Sequence, residues 1–83
     1  MYSVKFTQTA EKQFCKLEKN IQERVVNVLE RITINPFHFV KRKEETSYFI
    51  LRIGEYRAIL DIQQDNHIIF VMELGHRKNI YNN

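Results

Sequence analysis

The sequence predicts a single α+β domain in which a strand, two helices and a three-strand meander follow one another along residues 1–83. Eighty-three residues are enough for one domain and too few for two. The only proline, Pro36, ends a stretch of helical periodicity, as expected for a residue that cannot continue a helix. Beyond it, three short apolar runs are separated by turn residues, which is typical of antiparallel strands. We therefore expect an antiparallel sheet that carries a helical hairpin on one face.

The residues before Pro36 predict the first strand and the two helices. Residues 2–6 alternate between apolar and polar side chains, which indicates a short, half-buried strand. Thr7 or Thr9 is a suitable N-cap for the first helix, and Asn20 for the second. Apolar residues recur at helical spacing in both helices: Ala10, Phe14 and Leu17 in the first, and Ile21, Val25, Val28, Leu29 and Ile32 in the second. The charged residues between them form a solvated face, to which we assign no catalytic role.

The residues after Pro36 predict the meander. Its strands are expected at Tyr48–Ile53, Tyr56–Ile62 and Ile68–Leu74. The segment Phe37–Glu45 has no clear period and is predicted to be a loop.

Two turns set the predicted register of the meander. Gly54 and Glu55 suit a two-residue type II′ turn, which places Arg52 directly opposite Arg57. A three-residue loop ending in a left-handed Asn66 would place Glu73 opposite Arg57. This loop turns alternate residues of the last strand to the core, namely Ile68, Phe70, Met72 and Leu74. The expected core residues overall are Phe14, Val25, Leu29, Leu51, Leu60 and Phe70.

The predicted register gathers arginines on the face that the helices leave open. Two arginines directly opposite each other repel, so the pair of Arg52 and Arg57 favours a site where an anion or a carboxylate sits between them. If the last strand continues past Gly75, Arg77 and Tyr81 fall on the same face. The alternative is that Arg57 and Glu73 form a surface ion pair, which would stabilise the fold by at most about 1 kcal/mol. The residues alone therefore predict an anion-binding or RNA-binding face.

Composition restricts the remaining classes of function. Thirteen Lys and Arg against ten Asp and Glu give a formal net charge of +3, which fits a nucleic-acid-binding protein without requiring one. The three histidines lack the spacing of metal ligands, so we expect no metal site and no cofactor. The single cysteine, Cys15, is predicted to be buried or half-buried and cannot form an internal disulfide. No apolar stretch approaches the roughly 20 residues of a membrane span, and we expect a cytoplasmic protein with no membrane partner.

Two segments resemble the RelE family of toxins. The run YFILRIGEYRAIL at residues 48–60 contains the family's hairpin pattern R-v-G-d-Y-R, and FVMELGHRKNIY at residues 70–81 contains its pattern G-h-R-x-x-v-Y. The order of the elements also matches along the whole chain. The resemblance implies a RelE-like fold and the toxin role in a type II toxin–antitoxin system. It further implies an endoribonuclease that needs no metal or small-molecule cofactor, cleaves mRNA in the ribosomal A site by 2′-hydroxyl attack, and is inhibited by a RelB-type antitoxin.

The resemblance also assigns roles to individual residues. Arg57 and Arg77 match the arginines of the two patterns and would stabilise charge on the phosphate, while Tyr81 would stack on a base or transfer a proton. Around this catalytic set we expect RNA-binding side chains, namely Lys41, Arg42, Lys43, Arg52, His76 and Lys78.

The sequence departs from the family at the general base. The well-known bacterial form carries two lysines on the strand before the hairpin, where this sequence has Tyr48 and Ile50. Residues 41–43 or Arg52 are then the candidates to replace them. Two other functions stay open: inhibition of DNA gyrase without RNA cleavage, as in the ParE branch of the same fold, and antitoxin binding by a relative that has lost toxicity. The paired arginines and Tyr81 favour cleavage.

Overall fold

A computed structural model describes residues 1–80 and confirms both the α+β class and the predicted order of elements. We number the strands β1 to β5 and the helices α1 and α2 in chain order. They are β1 (Ser3–Phe6), α1 (Gln8–Cys15), α2 (Lys19–Ile32), β2 (Val40–Arg42), β3 (Phe49–Ile53), β4 (Tyr56–Gln63) and β5 (Ile68–His76), with a single 3₁₀ turn at Pro36–His38 between α2 and β2. Within residues 1–80, no helix is both long enough and apolar enough to span a membrane.

Side-chain hydrogen bonds fix where the helices begin and how they meet. Thr7, and not Thr9, caps α1: its Oγ1 accepts from the backbone N–H of Ala10 at 3.1 Å and donates to the carbonyl of Met72 at 2.9 Å. The prediction of Asn20 as the cap of α2 is wrong, because α2 begins one residue earlier and has Glu18 at its N-cap without a side-chain bond. The Gln22 side chain donates to the carbonyl of residue 14 at 2.9 Å and ties the two helices together.

The five strands form one sheet in the order β1-β5-β4-β3-β2. The meander of β3, β4 and β5 is antiparallel as predicted, but β1 pairs with β5 in parallel, so the sheet is mixed. An alternating pattern of four residues carries no information about strand direction. The chain between β1 and β5 contains two helices and three strands, which is long enough for the crossover that parallel strands require.

The segment predicted as a loop contains an additional edge strand. In β2, Val40 pairs with Leu51, Lys41 with Ile50 and Arg42 with Phe49. Three residues are too few for alternation to stand out in the sequence, and the ladder to β3 decides the conformation instead.

The turn between β4 and β5 differs from the predicted one and changes which side chains face the core. It has four residues, because Gln63 pairs with Ile68, and the left-handed residue is His67 (φ +55°) rather than Asn66. Ile69 and Val71 therefore face the helices, and the predicted inward positions of Ile68, Phe70 and Met72 are wrong. A β-bulge then shifts the register so that Leu74 is buried as predicted and Glu73 lies opposite Ile59 rather than Arg57.

The main core lies between the helices and one face of the sheet. Four of the predicted core residues are buried there: Val25, Leu29, Leu51 and Leu60. Phe14 is half-buried at its margin and makes an edge contact with Phe6 at 5.6 Å between ring centroids. Cys15 is the last residue of α1 and is exposed, contrary to the prediction.

Candidate functional site

The hairpin between β3 and β4 has the predicted geometry. Arg52 pairs directly with Arg57, and Ile53 with Tyr56. Gly54 has a φ of +62° whereas Glu55 does not have a positive φ, which is the pattern of a type II′ turn. The two guanidinium groups therefore start from facing positions on the open side of the sheet.

The paired arginines line a concavity of about 420 Å³ on that side, which we call the arginine groove. Its lining residues are His38, Phe39, Val40, Lys41, Arg42, Glu44, Ile50, Arg52 and Arg57. The lining therefore contains four Lys and Arg side chains but one carboxylate, that of Glu44. A concavity lined mainly by one sign of charge concentrates counter-ions, and guanidinium groups bind phosphate through two parallel hydrogen bonds.

The strand β2 separates three basic residues that are adjacent in the sequence. Lys41 pairs with Ile50 and lies on the open face beside the arginines. The Arg42 guanidinium lies over the ring of Phe49, 5.7 Å from its centroid, and Arg42 lines the edge of the groove. Lys43 lines a neighbouring concavity of about 630 Å³, which also includes Tyr48. Of the three, Lys41 is the lysine that lines the groove together with Arg52 and Arg57.

An apolar cluster occupies the positions where the RelE resemblance expects lysines. Ile50, Ile59 and Ile80 are buried together on the open face, and Tyr48 and Met72 pack against them. The sheet therefore has a second, small core on the side opposite the helices. A lysine at position 50 would have to displace part of this core, because its ammonium group would replace the buried side chain of Ile50.

The second resembling segment belongs to β5 as far as His76 and then forms a turn. The chain bends after His76, whose carbonyl accepts from the N–H groups of Asn79 (2.8 Å) and Ile80 (3.1 Å). The imidazole Nδ1 of His76 also accepts from the N–H of Lys78 at 3.1 Å. Gly75 allows the bend, because a Cβ at that position would lie 3.2 Å and 3.3 Å from two side-chain carbons of Ile80. The glycine and histidine of the pattern thus bring the chain back over the open face.

This bend leaves Arg77 and Lys78 outside the arginine groove. The N–H of Arg77 donates to the carbonyl of Glu55 at 2.8 Å, which extends the pairing of β4 with β5 by one residue and leaves position 77 on the face of Arg57. Arg77 and Lys78 are both exposed and do not line the groove. Tyr81 lies outside the described residues. The catalytic roles of Arg77 and Tyr81 and the RNA-binding role of Lys78 stay predictions.

His76 lies on the other side of the sheet from the groove. Its register partner is Tyr56, whose ring it meets edge-on at 5.3 Å, and its Nε2 lies 3.4 Å from Oε1 of Glu55. The predicted RNA contact of His76 is therefore not supported by its position, and its contacts are those of a turn-forming residue. Sequence reasoning also did not identify His38, Phe39 and Glu44 as groove residues. They precede or follow a strand that the sequence does not reveal. Among residues 1–80, no three His, Cys, Asp or Glu side chains come close enough together to hold a metal ion.

Comparisons with known proteins place this arrangement in a family. Residues 4–81 match the family model described as the ParE toxin of the type II toxin–antitoxin system, parDE. The chain belongs to the ParE toxin family. It is accordingly a member of the RelE/ParE toxin superfamily and a toxin of a type II toxin–antitoxin system.

Solved structures of RelE proteins share the fold of this ParE-family toxin. A chain of a RelBE toxin–antitoxin complex from Mycobacterium tuberculosis is 29% identical, with a TM-score of 0.83 over 92% of this chain and 98% of the other. Chains of the RelE–RelB complex of Pyrococcus horikoshii (23% identity, TM-score 0.79, covering 95% and 98%) and of the intact Escherichia coli RelBE complex (22%, 0.78, covering 92% and 96%) are similar. No curated protein matches the sequence significantly.

Proposed function

We propose that this toxin is an endoribonuclease that cleaves mRNA on the ribosome and that the arginine groove binds the scissile phosphate. The observation that carries the proposal is the direct pairing of Arg52 with Arg57 at the wall of an open concavity that also contains Lys41. Facing guanidinium groups destabilise an isolated sheet, and a bound phosphate removes that repulsion.

The groove supplies charge stabilisation for cleavage by the RNA's own 2′-hydroxyl. In this reaction the 2′-oxygen forms a bond to the adjacent phosphorus while the bond from phosphorus to the 5′-oxygen breaks. The products are a 2′,3′-cyclic phosphate and a 5′-hydroxyl. Negative charge grows on the non-bridging oxygens in the transition state, where pre-positioned donors act most strongly. Arg52 and Arg57 are such donors, and arginine does not give up its proton at neutral pH.

Proton transfer then requires a different side chain. One proton leaves the 2′-hydroxyl and one reaches the departing 5′-oxygen, which calls for a base and an acid within hydrogen-bond reach. We assign Lys41 to one of these transfers, because it is the lysine of the groove and lies opposite Ile50, where the resemblance expects a lysine. Tyr81 is the proposed second group, and Arg77 a proposed additional contact to the phosphate. The proposed reaction uses no metal ion.

The proposed partner is an acidic antitoxin of the RelB type. The solved relatives from Mycobacterium tuberculosis, Pyrococcus horikoshii and Escherichia coli are toxin–antitoxin complexes. The formal net charge of +3 on this chain favours an acidic partner.

Primer extension on translated mRNA tests the proposal. The toxin should cut mRNA efficiently only when ribosomes are present. Any basal cleavage of free RNA should survive a chelator. Arg57→Ala should lower the rate by roughly 10²–10³, as expected for loss of one transition-state donor. Lys5→Ala is the matched control, because Lys5 is exposed on the far edge strand β1, and it should cleave like the unmodified protein. Equal rates for Arg57→Ala and the control would contradict the proposal.

The second candidate function is inhibition of DNA gyrase, which the ParE name of the matching family favours. It is separated from the first by a supercoiling assay with purified gyrase. Inhibition of supercoiling in the absence of any RNA cleavage would replace the proposed nuclease function.

A further inference from the structure

A second basic surface lies on helix α2, next to the hairpin turn. It is a concavity of about 450 Å³ lined by Asn20, Glu23, Arg24, Asn27, Val28, Arg31, Arg52, Ile53 and Gly54. The lining contains three arginines and one glutamate, and its other polar side chains are asparagines. Arg24, Arg31 and Arg52 are all exposed, and within residues 1–80 none of them takes part in an ion pair.

The spacing of these residues makes a continuous polar stripe along the helix. Asn20, Arg24, Asn27 and Arg31 follow at intervals of four, three and four residues, so they lie on one face over roughly 16 Å. A surface helix usually pairs its arginines with carboxylates three or four residues away. The residues at those distances from Arg24 and Arg31 are all uncharged: Asn20, Ile21, Asn27, Val28, Ile34 and Asn35. The stripe therefore offers donors without internal carboxylate partners.

The hairpin turn joins this stripe to the arginine groove. Nη1 of Arg24 lies against Gly54, at 2.5 Å from the position that a Cβ would take, so its guanidinium is placed beside the turn that follows Arg52. Arg52 lines both the helix surface and the arginine groove. A chain of basic side chains thus runs from Arg57 through Arg52 and Arg24 to Arg31.

We propose that the stripe of Asn20, Arg24, Asn27 and Arg31 binds the phosphodiester backbone of the same RNA strand whose scissile phosphate occupies the groove. This inference rests on the proposed function and extends it by a path for the flanking nucleotides. Guanidinium groups bind phosphate oxygens through two parallel hydrogen bonds, and amide side chains also donate to phosphate and sugar oxygens. The continuity through Arg52 selects the same strand as the occupant.

Binding of cleavage-resistant RNA tests the inference independently of catalysis. The probes are a fluorescent trinucleotide and a strand of about a dozen nucleotides, both 2′-O-methylated so that the attacking hydroxyl is blocked, measured across a salt series. Each phosphate contact to a single strand contributes about 0.7 to the slope of log affinity against log salt. For the longer strand, Arg24→Gln with Arg31→Gln should lower the slope by about 1.4, the value for two contacts. The unmodified protein and the double variant should bind the trinucleotide equally, because this short probe occupies the groove without reaching the stripe.

Two further variants separate the possible failures. Lys5→Gln with Lys12→Gln removes the same charge from exposed positions on β1 and α1 and should leave the slope for the longer strand within about 0.3 of the original. Arg31→Gln alone, away from the hairpin, controls for a folding defect from loss of the Arg24 contact and should lower the slope by about 0.7.

Several outcomes would overturn the inference. The first is an unchanged slope for Arg24→Gln with Arg31→Gln, and the second is an equally large loss of slope for the lysine control. The third is that the double variant binds RNA like the unmodified protein but binds an acidic protein partner more weakly. Failure of the nuclease proposal is scored separately, by the absence of ribosome-dependent cuts.

Discussion

Substitution of Gly75 by alanine tests the physical reason for the turn that follows β5. The new Cβ would meet Cγ1 and Cδ1 of Ile80 at 3.2 Å and 3.3 Å, closer than ordinary van der Waals contact. Overpacking of this kind costs about 1–3 kcal/mol. Replacing a strand glycine whose φ suits alanine contributes about 0.4–1 kcal/mol in the opposite direction, through the unfolded state. We therefore expect a net loss of about 1–2 kcal/mol in the free energy of unfolding.

The same change should have the opposite sign when Ile80 is already alanine. Ile80→Ala removes both of the carbon atoms that the new Cβ would meet. In that background Gly75→Ala retains only its favourable term, so it should stabilise by about 0.4–1 kcal/mol. Urea unfolding of the four proteins, followed by circular dichroism, gives the coupling between the two positions as a double-mutant cycle. Equal effects of Gly75→Ala in both backgrounds would refute the argument that this glycine makes room for Ile80.

Three further predictions concern other parts of the molecule. Gly54→Ala should lose about 1–2 kcal/mol in urea unfolding, because Gly54 has a φ of +62° and the Arg24 guanidinium lies against it, whereas Gly54→Asn should lose less. Ile50→Lys should increase RNA cleavage in primer extension, because it restores a lysine where the resemblance expects one. It should also lower the free energy of unfolding by about 1–3 kcal/mol, since Ile50 belongs to the small core on the open face. Unchanged cleavage would show that the missing lysine does not limit the rate of cleavage. Cys15 should react fully with a thiol reagent in the native protein, and slow labelling without denaturant would contradict its exposure.

The sequence predicts the β3–β4 hairpin correctly because its turn chemistry is specific. Only a few residue types suit the first position of a type II′ turn, and Gly54 with two residues between the strands sets the register without ambiguity. The pairing of Arg52 with Arg57, which is the basis of the groove, follows directly from that turn.

Longer turns carry less information, and this is where the prediction fails. A loop of three or four residues fits the segment after Gln63 equally well, and one residue more reverses the face of every side chain up to the bulge. Phe70 and Met72 are consequently displaced from the predicted core. Sequence alternation also cannot predict the turn after His76, which depends on the contact between Gly75 and Ile80. The register nevertheless keeps position 77 on the face of Arg57, as predicted, although Arg77 does not line the groove.

The parallel pairing of β1 with β5 also affects when the protein can fold during its own synthesis. Thr7 and Met72, which form a hydrogen bond, are separated by 65 positions in the chain. Such a contact gives the fold a high contact order, because loop closure over most of the chain must precede it. The nascent polypeptide therefore cannot complete its sheet until β5 has emerged from the ribosome, and β1 stays unpaired until then. A ParE-family toxin with this topology can therefore complete its sheet only after β5 has been synthesised.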